Sequence, residues 1–100
     1  MKKKVRQIIE ERKTVHLENS FLIEKHWKEL ADLLSKDIEC TIKFLDSASE
    51  EEVEWISEVF EDINCGTKNK EYVACLKRLV KKFPNSTIKP SVEIAEKMML

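Results

Sequence analysis

The chain has a single glycine, Gly66, and only two prolines, Pro84 and Pro90. Hairpin-rich β folds need residues that accept left-handed or fixed backbone angles at their turns. Their scarcity points to helices joined by short polar loops, and one glycine cannot build a Gly-rich phosphate loop. No apolar run approaches the roughly 20 residues that a membrane span requires. The lysine-rich start, Met1 to Lys4, is not followed by the apolar segment of a signal peptide, because Arg6, Glu10, Glu11 and Arg12 interrupt it. The expectation is a soluble, cytoplasmic protein with no membrane partner. The cysteines, Cys40, Cys65 and Cys75, are odd in number, form no C-x-x-C pair and lie far from the two histidines. Neither a disulfide framework nor a zinc site follows from that spacing, so no metal or cofactor is expected. Free thiols suit a reducing compartment.

The remaining absence is local. Residues 46–67 contain no lysine or arginine, and eight acids: Asp46, Glu50, Glu51, Glu52, Glu54, Glu58, Glu61 and Asp62. Residues 1–45 hold 10 basic and 8 acidic residues, and residues 68–100 hold 8 and 3. The formal net charge of -1 argues against nonspecific nucleic-acid binding by the whole chain. One hundred residues, 42% of them apolar, make one domain spanning 1–100 with a modest core.

Apolar spacing predicts an all-α fold, five to six short helices packed as antiparallel hairpins in one compact bundle. Residues 2–12 place Val5, Ile8 and Ile9 on one side of a short charged helix, and residues 13–19 read as a connection. Ile23, Trp27, Leu30, Ala31 and Leu34 recur at helical spacing over 20–34, with Phe21, Leu22 and Leu33 widening the face. Asp37 can cap the next helix, whose buried side is Ile38, Ile42 and Leu45. Ser49-Glu50-Glu51-Glu52 is a capping box, and the three glutamates suit the positive end of a helix dipole. That helix is predicted to reach about Asn64, with Gly66 as a left-handed stop just beyond.

Asn69 can cap the most regular stripe of the chain, Tyr72, Val73, Leu76, Leu79, Val80 and Phe83, whose other side is basic. Pro84 ends it. A last helix begins near Pro90, with Val92, Ile94, Ala95, Met98 and Met99 as its apolar side. Leu30, Ile42, Ile56, Phe60, Leu76, Leu79 and Val80 are the expected core.

No catalytic constellation emerges, and the protein is not expected to be an enzyme. His26 precedes the stripe position Trp27 and reads as a helix-flank residue; His16 falls in the predicted connection. The carboxylates of the acidic helix lack the apolar pocket that would raise one for acid catalysis. Binding is the stronger theme. At about 100° per residue, Val53, Ile56, Val59, Phe60 and Ile63 share one arc, and Glu51, Glu54, Glu58, Glu61 and Asp62 lie on another. Trp55 falls at the border. Its ring either packs under a neighbouring helix or anchors an interface with an acidic rim. The acids either form a solvated face, neutralised across a hairpin by the basic helix that follows, or dock a basic partner. In the second case Glu51, Glu54, Trp55, Glu58 and Asp62 are the partner-binding residues.

The run from Glu50 to Ile63, followed by Glu71 to Leu79 and Lys82-Phe83-Pro84, resembles a group of small helical bacterial immunity proteins. These are encoded beside polymorphic or contact-dependent growth inhibition toxins and neutralise the toxin domain. The resemblance covers roughly residues 38–97 and is a pattern of helices and acids. It implies a cognate toxin domain as partner, basic and most often a nuclease, with the acidic helix standing in for nucleic acid. No direct nucleic-acid contact is implied. The basic helix from Asn69 to Phe83 would line the back of the molecule or meet an acidic part of the toxin. The alternative is a helical adaptor or regulatory module with an intracellular protein partner.

Overall fold

A computed structural model describes residues 2–14 and 20–99. Among these residues there are six α-helices and no strand. They are α1 (Lys2–Thr14), α2 (Ser20–Ser35), α3 (Ile38–Ser47), α4 (Glu50–Ile56), α5 (Asn69–Lys82) and α6 (Lys89–Met99). A 3-10 segment, Ser57–Asp62, follows α4 directly. The all-α expectation therefore holds. α1 takes in Lys13 and Thr14, and the rest of the expected connection, with His16, lies outside the described residues. No described helix is long and apolar enough to cross a membrane.

Local chemistry sets most boundaries. The Asp37 carboxylate accepts from the Cys40 N–H at 3.2 Å and starts α3. Both halves of the Ser49–Glu52 capping box form: the Glu52 N–H donates to Ser49 Oγ at 3.2 Å and the Ser49 N–H to Glu52 Oε1 at 3.1 Å. Gly66 has φ 59°, the left-handed value expected of it. Two ends differ from expectation. The α-helical part of the acidic run stops at Ile56, and the chain continues as the 3-10 segment. There the Ser57 hydroxyl donates to the Glu54 carbonyl at 2.5 Å, competing with the α-helical ladder at the junction. Asn69 does not cap α5 but is its first residue; its amide donates to the Met99 carbonyl at 3.2 Å and ties α5 to α6.

Side-chain pairs show how the helices run. Glu11 near the end of α1 meets His26 in the first half of α2, and Lys4 near the start of α1 lines a groove with Lys36 just beyond the end of α2, so these two helices are antiparallel. Asn69–Met99 and Lys77–Glu96 make α5 and α6 antiparallel as well. The hairpin rule stops there. α3 lies parallel to α5, joined by Lys68–Glu39 at one end and Arg78–Asp46 at the other. α1 packs along the acidic run, with Arg6 on Glu52 and Lys13 on Glu51 of α4 and Arg12 on Glu58 of the 3-10 segment.

One contiguous core joins all six helices. Leu30, Ile56, Phe60, Leu76 and Leu79 are buried as expected, whereas Ile42 and Val80 are half-buried at its edge. On α3 the buried side is Thr41, Phe44 and Leu45 rather than Ile38, Ile42 and Leu45. The Thr41 hydroxyl donates to the Leu34 carbonyl at 2.6 Å, and that bond turns α3 toward α2. Phe21 (76% exposed), Ile94 (47%) and Met98 (67%), expected on apolar faces, are at the surface. Cys65 and Cys75 are buried, with thiols pushed up to about 11 and about 12, by burial alone for Cys65 and mainly by burial for Cys75. Cys40 is exposed, and the carboxylate of Asp37 raises its thiol.

At the centre, the hydroxyl of fully buried Tyr72 donates to the Phe60 carbonyl at 2.9 Å. This satisfies a backbone acceptor that the 3-10 geometry would otherwise leave buried. Leu76, one turn on, is also fully buried. Leu76→Ala is expected to cost about 2–5 kcal/mol, and Tyr72→Phe about 1–3 kcal/mol, in urea melts. A loss under about 1 kcal/mol for Leu76→Ala would show that the α5 stripe is not core.

Candidate functional site

α1 is the part of the chain that sequence patterning undervalued. Val5, Ile8, Ile9 and Arg12 stand at i, i+3, i+4 and i+7, and all four are buried. An arginine in the last place of an apolar stripe must bring a partner for its charge. It finds Glu58. Arg12 Nε donates to Glu58 Oε1 at 3.1 Å and Nη2 to Oε2 at 2.9 Å, a bidentate fork. The same Glu58 oxygen accepts from Trp27 Nε1 of α2 at 3.1 Å. The Arg12 guanidinium also sits over the Trp55 ring, 5.2 Å from its centroid. Side-chain exposure is 11% for Arg12 and 27% for Glu58, so this pair is shielded from solvent.

His26 borders the node. Its ring is largely covered, Nε2 lies 3.6 Å from Glu11 Oε2, and Nδ1 is buried without a hydrogen-bond partner among the described residues. A cavity of about 10 Å³ between Ile8, Arg12, His26, Trp27, Trp55 and Glu58 is room for about one water molecule.

Two further pairs flank the node. Arg6 Nε donates to Glu52 Oε2 at 2.7 Å, and Lys13 contacts both Glu51 and Glu10. Burial of Glu52 acts to raise its carboxyl, but the Arg6 guanidinium and the Ser49 N–H and hydroxyl outweigh it and hold it below the ordinary glutamate value. The Glu51 and Glu10 carboxylates raise the Lys13 ammonium.

The five residues expected to bind a partner therefore do not share one open face. Glu51, Trp55 and Glu58 converge on α1, where Lys13 and Arg12 meet them. Glu54 is half-buried elsewhere and accepts from the Ser86 hydroxyl at 3.2 Å. Asp62 is exposed and lines a hollow of about 360 Å³ with Glu24, Trp27, Lys28, Ala31 and Asp32 of α2. The 3-10 segment accounts for the place of Asp62. It turns about 120° per residue instead of about 100°, so five steps from Ser57 to Asp62 displace a side chain by about 100° from its α-helical place.

The charge sorting also resolves differently from a simple α4–α5 hairpin. Of the eight acids, Glu51, Glu52 and Glu58 pair with α1, and only Asp46 pairs with α5, through Arg78. Glu50, Glu61 and Asp62 make no hydrogen bond or ion pair among the described residues, nor do Glu24 and Asp32 in the hollow. No group of three or more His, Cys, Asp or Glu side chains there could hold a metal ion. No family model matches the chain, and neither curated proteins nor solved structures give a significant match.

Arg12→Met and Glu58→Leu are each expected to cost about 1–3 kcal/mol, because each strands its partner's charge in a half-closed site. The double replacement should recover a measurable part of the sum; strictly additive losses in urea melts would show the two charges to be uncoupled. The acid limb has a definite sign. Glu52 has a lowered carboxyl when folded, so its contribution is present above the ordinary value of about 4.3 and is lost as pH falls through the folded one. Glu52→Gln should flatten stability against pH between about 5 and 3, and an unchanged slope would remove Glu52 from the account.

Proposed function

We propose that the protein is an immunity protein that binds and neutralises a basic toxin domain, and that its free acidic surface is the α2 side of the 3-10 segment. The observation that carries this reading is the hollow beside Trp27. Three carboxylates, Glu24, Asp32 and Asp62, border it unpaired, with Lys28 as the one cation among its lining residues. Trp27 supplies a half-buried indole at its wall, already held by Glu58 and so fixed in orientation. A rigid aromatic with an acidic rim suits an arginine- or lysine-bearing surface, such as a nuclease presents to phosphate. The patterned resemblance over roughly residues 38–97 supports the same reading. Much of the acidic run itself is engaged within the molecule, which moves the proposed contact from Glu51 and Glu58 toward Asp62.

The test is protection. The chain is co-expressed with a toxin domain encoded beside its gene, and growth is scored at equal protein abundance. Wild type should protect. Asp62→Lys with Asp32→Lys should lose protection and weaken binding by at least about tenfold, with the loss greatest at low salt. Both side chains are exposed and make no described bond, so the helical spectrum should not change. Full protection by the doubly reversed protein would refute this face, and failure of the wild type against every neighbouring toxin would refute the immunity reading.

A further inference from the structure

We propose that the small cavity beside the Arg12–Glu58 fork is a binding site for one ordered water molecule, and that this water joins His26 of α2 to the fork. The starting point is the imidazole. Its Nε2 faces the Glu11 carboxylate of α1 at 3.6 Å. That negative charge favours a proton on Nε2 and leaves Nδ1 with a lone pair. Nδ1 is buried, and no group among the described residues donates to it. A buried acceptor left unpaired loses its hydration with nothing in return. The charged groups facing the ring are Glu11 and Arg12 from α1 and Glu58 from the 3-10 segment.

The fork has the bonding capacity that such a water needs. Glu58 Oε1 accepts twice, from Arg12 Nε and Trp27 Nε1, whereas Oε2 accepts once, from Arg12 Nη2. A carboxylate oxygen has room for about two bonds, so Oε2 has a site to spare. Arg12 Nη1 donates to no group among the described residues, so it too has capacity. His26, Arg12 and Glu58 line the same cavity. A water there can donate to Nδ1 and to Oε2 and accept from the guanidinium, within the roughly two to four partners that a buried water uses. The volume of about 10 Å³ admits one such molecule. An apolar void of that size would stay dry; a site offering two acceptors and a donor does not. The same set discriminates between small species. Ammonium cannot accept from arginine, and a halide cannot donate to imidazole or carboxylate. The site therefore stands apart from the immunity reading, and either can fail alone.

The test is nuclear magnetic resonance on the full chain. A long-range proton–nitrogen spectrum at alkaline pH should show His26 carrying its proton on Nε2, with Nδ1 bare. The Leu30 side chain is buried and lines the cavity. Its methyls should show cross-peaks to water, of opposite sign in the laboratory-frame and rotating-frame Overhauser experiments, as a resident water gives. His26→Phe keeps a ring of similar shape and removes the acceptor, so the Leu30 cross-peaks should be lost while the helical spectrum stays. A proton on Nδ1, the absence of a resident water at Leu30 in the wild type, or cross-peaks undiminished in His26→Phe would each overturn the proposal. The wild-type spectra decide alone if that variant does not fold.

Discussion

The bidentate bond between Arg12 and Glu58 sets the arrangement of half the molecule. A guanidinium on the buried stripe of α1 cannot remain there unpaired, and a carboxylate on the inner side of the 3-10 segment has the same need. Their fork fixes α1 against the acidic run, and the indole N–H of Trp27 on the same oxygen fixes α2 against both. Three segments from distant parts of the sequence thus meet at one carboxylate. The apolar core supplies most of the driving force, but it does not specify which way α1 points. The charges hold α1 along the acidic run, through Arg6–Glu52, Lys13–Glu51 and Arg12–Glu58.

Much of this fold was legible as periodicity. The stripes on α2 and α5, the Asp37 cap, the Ser49–Glu52 box and the left-handed Gly66 each follow from local rules, and each is present. What escaped was nonlocal. Phe21, Ile94 and Met98 are exposed although their spacing puts them on apolar faces. The rotation of α3 depends on one hydroxyl, Thr41, finding a carbonyl in α2. The node escaped because a charged residue on a short helix reads as surface. The available signal was register: Arg12 completes the i, i+3, i+4, i+7 series begun by Val5.

The acidic run shows how local composition can mislead about surface charge. Eight acids without a base suggest a strongly negative face. Folding brings Arg6, Arg12 and Lys13 from one end of the chain and Arg78 from the other to half of them. The change from α to 3-10 winding at Ser57 then separates the residues that regular winding would have aligned. Of the acids left unpaired, Asp62 lies beside Glu24 and Asp32 of α2, and Glu50 is exposed at the start of α4.

The two tryptophans of the chain, Trp27 and Trp55, both belong to the Arg12–Glu58 node, one as hydrogen-bond donor and one beneath the guanidinium. Intrinsic indole emission therefore watches a single place in the molecule. A charged group near an indole ring and a bond to its N–H both influence the excited state, so undocking of α1 would alter the signal with α5 and α6 still folded. Far-UV dichroism averages over every helix instead. Agreement of the two optical signals along a denaturant series would mean that the N-terminal helix and the rest of the bundle melt as one cooperative unit, and separation would resolve them as two.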